Sequence, residues 1–332
     1  MKVAVFSAKR YDRELLAAAN AEARHELVFF EAPLDAATTS LTIGCEAVCV
    51  FVNDRVDEAV LAALATHGVR LVALRCTGFN NVDLKAATAR GVRIVRVTEY
   101  SPYSVAEHAT ALVLALTRKI HRAYNRTRDG NFELEGLLGF DLHGRTVGVV
   151  GTGRIGRAFA SIMAGFGCTL IGYDKMPSPD FERIGGHYAP IVELAERSDI
   201  VSLHCPLTKE THYLVDAEFL SLARRGSILI NTSRGGLVDT QAAIAALRSG
   251  RLGGLGIDVY EQETDLFFQD LSSSIIADDM IQRLVSFPNV IVTGHQAFFT
   301  REAMGQICAT TIASLSAFAD GRPLVHEVHA GA

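Results

Sequence analysis

Two parallel-sheet α/β domains are what this chain of 332 residues predicts, on three observations. Short apolar runs alternate with amphipathic stretches through the first hundred residues. The same alternation restarts after Arg145, and one long helical pattern lies between the two series. The length itself exceeds one ordinary hydrophobic core, so two domains are expected.

The first series reads "KVAVF", "ELVFF", "EAVCVF", "RLVALR" and "VRIVRV", with Ala-rich helical stretches such as "DEAVLAALATHG" between them. Strands this uniformly apolar suit a parallel sheet covered on both faces. Ser101 followed by Pro102 then reads as the cap and first position of a helix. Val105, Ala109, Leu112, Val113, Leu116 and Ile120 recur at helical spacing, which predicts one helix to about His121, with Arg118, Lys119, His121 and Arg122 at its far end. That helix is expected to carry the chain from one domain to the next.

The second series reads "TVGVV", "TLIGYD", "DIVSLH", "SILIN", "GLGIDV" and "NVIVT", six strands separated by helical segments, as a doubly wound domain requires. The stretch "REAMGQICATTIASLSAFADG" is a final helix that could return to the first domain. The expected division is therefore 1–100 with 299–332 as one domain and 101–298 as the other.

Composition narrows the partners. The net charge of −5 does not favour a nucleic-acid surface, and no apolar run is long enough for a membrane span or a secretory signal. Six scattered cysteines contain no CxxC pair, so free thiols in a reducing cytoplasm are expected rather than a disulfide framework or a metal site.

The chemistry begins at "VGVVGTGRIGRAFASIMAGFG". Gly151, Gly153 and Gly156 stand in GxGxxG register between an apolar strand and a helical pattern. The first glycine permits the tight turn, the second lets the backbone approach a pyrophosphate, and the third lets helix and strand pack closely. Asp174 ends the next strand, 18 residues beyond Gly156, where an acid meets the adenosine ribose hydroxyls. The carboxylate would repel a ribose phosphate, so NAD is expected rather than NADP.

Three further strand ends carry reactive groups. Arg234 follows "SILIN", Asp258, Glu261 and Glu263 follow "GLGID", and His295 follows "NVIVT". Ligands of open α/β sheets sit beyond the carboxyl ends of strands, so these groups could converge. An arginine there offers a planar fork to a carboxylate, and a histidine is the natural proton carrier near neutral pH. A histidine at a strand end can also be merely structural; it is the company of the other groups that makes His295 a reagent.

In order along nearly the whole chain, "SPYSVAEHA", "GTGRIG", "SDIVSLHCPLT", "INTSRGGLVD", "GIDVYEQE", "FPNVIVTGHQAF" and the final helix make this sequence resemble the D-isomer-specific 2-hydroxyacid dehydrogenases, most closely their fermentative D-lactate branch. The resemblance implies two Rossmann-like or flavodoxin-like domains with a cleft between them, the first binding substrate and the second NAD. It implies a catalytic set of Arg234, Glu263 and His295: Arg234 binds substrate, His295 is the acid/base and Glu263 orients it, with Glu261 the rival for that last role. Arg154, Ile155, Asp174, Cys205, Pro206, Thr211, Thr232, Ser233 and Asp258 would line the cofactor site with the three glycines. Backbone amides around Cys76, Thr77 and Gly78, with the Tyr100 side chain, would face the substrate. Cys205 and Thr211 stand where valine and asparagine are expected in that branch. The implied reaction is reduction of a small 2-oxo acid, pyruvate first, by NADH, in a cytoplasmic homodimer or homotetramer. A hydroxypyruvate or glyoxylate reductase is the alternative within the family, and an NAD-sensing corepressor-like scaffold the alternative outside catalysis.

Overall fold

The computed structural model describes residues 1–263 and 266–330; Thr264 and Asp265 of the "GIDVYEQETDLF" stretch, and residues 331–332 of the first expected domain, lie outside the described residues. Along the chain come β1 (Lys2–Val5), α1 (Arg10–Ala19), β2 (Glu26–Phe29), β3 (Ala47–Val50), α2 (Glu58–Thr66), β4 (Leu71–Leu74), α3 (Leu84–Ala89) and β5 (Arg93–Arg96). After them come α4 (Pro102–Thr117), α5 (Ile120–Arg128), β6 (Thr146–Val150), α6 (Arg154–Gly165), β7 (Thr169–Tyr173), α7 (Pro179–Arg183), β8 (Gly186–Tyr188), α8 (Ile191–Arg197) and β9 (Ile200–Leu203). The series ends with α9 (Ala217–Leu222), β10 (Ser227–Asn231), α10 (Thr240–Arg248), β11 (Leu252–Ile257), α11 (Asp279–Ser286), β12 (Val290–Val292) and α12 (Arg301–Ala319). Two compact units result, Met1–Ser101 with Phe299–Ala332 and Pro102–Phe298.

The first unit is a parallel sheet of order β2-β1-β3-β4-β5, the flavodoxin-like arrangement. β3 and β4 are buried at every residue, which is why they read as unbroken apolar runs. One face is covered by Val60, Leu61 and Leu64 of α2 with Ala86 and Ala87 of α3. The other is covered by Leu16 of α1 and by Cys308, Ile312 and Leu315 of α12.

The second unit is a parallel sheet of order β12-β11-β10-β9-β6-β7-β8, the doubly wound dinucleotide order with an added outer strand. Leu112, Val113 and Leu116 of α4 and Phe159 and Met163 of α6 cover one face. Leu194, Phe219, Leu220, Ile244, Leu247 and Leu284, from α8 to α11, cover the other. The strand order reverses between β6 and β9, the point where a cofactor crevice opens in such sheets. Helix starts are set locally: Asp57, Asp83, Asp216, Asp239 and Asp278 each accept a first-turn N–H. Caps of this kind are worth about 1 kcal/mol apiece.

Two expectations require correction. The helix predicted to run to His121 ends at Thr117, where Lys119 takes a left-handed backbone (φ +53°) and a separate helix, α5, begins. The basic cluster therefore straddles a break rather than closing one helix. The six strands of the second series are seven, because Gly186–Tyr188 forms the edge strand β8 beside β7. A three-residue edge strand is too short to show a period of its own.

Candidate active site

Gly151 follows β6 with φ +91°, a conformation open to glycine, and a Cβ there would fall 2.6 Å from the Cys205 backbone nitrogen. A Cβ on Gly156 would collide with the Gly151 carbonyl, so α6 approaches the turn as closely as backbone allows. Gly153 caps α6 and has nothing within 4 Å of where its Cβ would stand. The first turn of α6, with Arg154, Ile155 and Gly156, thus presents amide groups beyond the strand end.

Asp174, just past β7, is tied to that loop. One carboxylate oxygen accepts Thr152 N–H at 2.6 Å and the Thr152 hydroxyl at 3.1 Å; the other accepts Met176 N–H at 2.9 Å. It is half-buried, leaving the acid in reach of solvent and of a ribose.

Beyond β9, burial pushes the Cys205 thiol up to about 11, so it stays a neutral thiol near pH 7. The Cys205 carbonyl accepts the Ser233 hydroxyl at 2.7 Å, joining the β9 and β10 ends. Thr211 donates its hydroxyl to Pro206 O and accepts Thr208 N–H, both at 2.7 Å, so it closes its own loop. Thr232 has a buried hydroxyl with no partner among the described residues, a group that a polar ligand would satisfy. The glycine turn, the ribose-ready acid and this orphaned hydroxyl fit an NAD site.

Arg234 follows β10, held by a residue that sequence reasoning passed over. Asn231, buried at the strand end, accepts Ser233 N–H at 3.1 Å and donates to Arg234 O at 2.8 Å. Its signal was available, since asparagine at a strand end closes turns through its side chain. Arg234 donates from Nη1 to Ser233 O at 2.7 Å. Next to it, Gly235 presses so closely on the backbone of Tyr260 and Glu261 that a Cβ would overlap both.

The acids after β11 separate clearly. Glu263 Oε1 lies 3.0 Å from His295 Nδ1, and Oε2 accepts Tyr260 N–H at 3.0 Å. Glu261, the rival, instead accepts the Tyr213 hydroxyl at 2.8 Å. A carboxylate oxygen only accepts, so the His295 Nδ1 bears hydrogen and Nε2 is left as the exchangeable nitrogen. The ring is flanked by Phe268 and Phe298, with centroids 5.7 and 6.3 Å away.

His295 itself is left-handed (φ +53°), unusual for a residue with a side chain. Asp258 holds it there. The Asp258 carbonyl accepts His295 N–H at 2.8 Å, while its carboxylate accepts Gln296 N–H at 2.9 Å and Ala297 N–H at 2.8 Å. Asp258 was expected in the cofactor lining; it is 0% exposed, and its oxygens are turned to this loop rather than to open space.

In the first unit, Cys76, Thr77 and Gly78 follow β4. The Cys76 thiol donates to Gly78 O at 3.2 Å, and Arg96 donates to Thr77 O at 2.9 Å. Tyr100 lies past β5 and is half-buried. Among the described residues no His, Cys, Asp and Glu group could hold a metal ion, and no helix is long and apolar enough to cross a membrane.

The family model described as "D-isomer specific 2-hydroxyacid dehydrogenase, NAD binding domain" matches residues 110–297. The D-lactate dehydrogenase of Escherichia coli is 48% identical over 328 residues, 99% of this chain and 100% of that one. A structure titled as the pyruvate reductase of Chlamydomonas reinhardtii superposes with a TM-score of 0.94 at 44% identity, covering 98% of each chain. A D-lactate dehydrogenase from Lactobacillus jensenii with NAD+ superposes with a TM-score of 0.84 at 31% identity, covering 99% of this chain and 100% of that one. With half its length matched by the NAD-binding domain and its relatives aligned end to end, this chain belongs to the D-isomer-specific 2-hydroxyacid dehydrogenases, NAD-dependent oxidoreductases of two parallel-sheet domains.

Proposed function

We propose that the protein reduces pyruvate to D-lactate. The observation that carries this reading is the Glu263–His295 pair, set at the carboxyl end of the sheet that also bears Arg234 and the glycine turn. Relatives named for D-lactate and pyruvate support this choice of substrate.

NADH supplies the hydride when bound. Arg234 binds the oxo-acid carboxylate through its fork and stabilises negative charge developing on the carbonyl oxygen. His295, protonated, gives the Nε2 proton to that oxygen, while Glu263 holds the ring through Nδ1. Gly151, Gly153, Arg154, Ile155 and Gly156 bind the pyrophosphate, and Asp174 the adenosine ribose. Cys205, Pro206, Thr211, Thr232 and Ser233 shape the remaining cofactor wall, with Asp258 acting through the His295 loop. From the first unit, the amides of Cys76, Thr77 and Gly78 and the Tyr100 side chain are proposed substrate contacts.

We further propose a homodimer, or a tetramer built from it, in the cytoplasm of a fermenting cell. Its support is a run of apolar side chains left in solvent along 120–138: Ile120, Tyr124, Phe132, Leu134 and Leu138, the last three 76%, 82% and 89% exposed. The apolar face of α4, by contrast, is buried against α6 and the sheet.

A panel of 2-oxo acids with NADH, followed by absorbance, tests the reaction. Pyruvate should give the highest kcat/KM and the product should be the D isomer. Preference for hydroxypyruvate or glyoxylate would move the protein to the alternative reductase, and no turnover with any oxo acid would leave the scaffold reading.

A further inference from the structure

We propose that His108 and Thr293 are positioning residues for His295, acting through Asp258. The inference rests on His295 being the acid/base of the reaction proposed above. His108 lies on α4. Its Nε2 stands 3.0 Å from Thr293 Oγ1 and 3.4 Å from Asp258 Oδ1. Thr293 Oγ1 is in turn 2.5 Å from Asp258 Oδ1.

The proton inventory gives this chain a direction. A threonine hydroxyl has one hydrogen, and against a carboxylate oxygen that hydrogen must point to the acid. The hydroxyl oxygen is then free to accept, and His108 Nε2–H is the donor facing it. The sequence of bonds is His108 Nε2–H to Thr293 Oγ–H to Asp258 Oδ1, each one polarising the next.

Asp258 links the helix side of this chain to the loop side. Its carboxylate takes Gln296 and Ala297 N–H, and its carbonyl takes His295 N–H. The left-handed turn at His295 therefore leans on that carboxylate, together with the Thr293 carbonyl, which also accepts His295 N–H at 3.1 Å. Thr293 and His108 fix the carboxylate's rotation at Oδ1. α4 can do this because it lies directly on β11: a Cβ on Gly256 would come within 3.2 Å of Leu112 and 3.3 Å of Leu116. The strand that ends at Asp258 and the helix that carries His108 are thus set against each other by packing. A proton donor must be placed within a fraction of an ångström to act, so an error at Asp258 reaches the chemistry.

The test combines steady-state kinetics with amide hydrogen exchange of segment 293–298 in the protein alone. His108→Ala should lower kcat for pyruvate roughly five- to thirty-fold, with the KM for pyruvate and the Kd for NADH unchanged. Exchange at Gln296 and Ala297 should quicken in the same variant. His108→Gln, which returns an N–H donor at similar reach, should recover most of both. Thr293→Val combined with His108→Ala should add little to the worse single change, because both remove the same chain. A wild-type kcat and wild-type exchange in His108→Ala, or equal losses in the Ala and Gln variants, overturns the proposal. The exchange arm separates the two readings: quickened exchange in a protein that turns over no oxo acid supports the positioning chain and overturns the proposed reaction.

Discussion

Glu263 Oε1 meets His295 Nδ1 at 3.0 Å while its other oxygen is held by Tyr260 N–H, so the carboxylate faces the ring in a fixed orientation. Glu263→Gln keeps the shape but replaces the carboxylate oxygen that accepts from Nδ1 with a neutral amide. The kcat for pyruvate should fall roughly ten- to a hundred-fold, the cost of one charge-assisted bond, with NADH binding unchanged. Glu261→Gln should leave kcat in place, since that acid is bound to Tyr213. An unchanged kcat in Glu263→Gln takes this residue out of the reaction.

Arg234→Lys preserves charge and loses the fork. The kcat/KM for pyruvate should drop roughly ten- to a hundred-fold, the cost of one well-aligned charge-assisted bond, while NADH binding holds. Near-normal kinetics would assign the carboxylate to another residue.

Asp174 is the half-buried acid beside the glycine turn. NADH should be strongly preferred to NADPH, and Asp174→Ser should narrow that preference by admitting the extra phosphate. Equal use of both by the unaltered protein contradicts this role.

His204, at the end of β9, has its Nε2 2.9 Å from Ser202 Oγ and a buried Nδ1 without a partner among the described residues; burial pushes its pKa down from 6.5 to about 3. The native ring stays neutral while the unfolded ring takes up a proton below about pH 6.5. Its contribution to stability is therefore complete above that pH and is lost as acid carries the protein toward pH 3, by up to roughly 1.4 kcal/mol per pH unit. His204→Gln should lose less stability between pH 7 and pH 5 than the unaltered protein, measured by denaturant titration. Parallel losses would show that His204 titrates normally.

The apolar run along 120–138 predicts the assembly. Leu134→Asp with Leu138→Asp should leave a folded monomer by light scattering if those side chains are the interface. A dimer that survives both changes places it elsewhere.

How much could be read from the sequence differed from element to element for physical reasons. The central strands were legible because burial on both faces removes every polar residue from them, and the glycine turn because its spacing is dictated by backbone contact. β8 was not, since three residues on an outer edge carry no period. The break at Lys119 was hidden because basic residues suit a helix end wherever it falls, and a lysine gives no sign of a left-handed corner. At the site, residue type pointed to Arg234 and His295, but whether Glu261 or Glu263 turned toward the ring depended on the path of a loop. The inward turn of Asp258, and the histidine behind it, depended on which backbone amides the fold brought within reach.

Gly235 has a practical meaning for anyone redesigning this enzyme. Its backbone rests on that of Tyr260 and Glu261 with no room for a methyl group. The segment bearing the proposed carboxylate clamp and the segment bearing the partner of His295 therefore form one mechanical part. A library that diversifies residues around Arg234 alone will disturb the histidine's support as a side effect, and selected changes should arrive in pairs across this contact. Transplanting both segments together from a relative is the economical route to a new substrate.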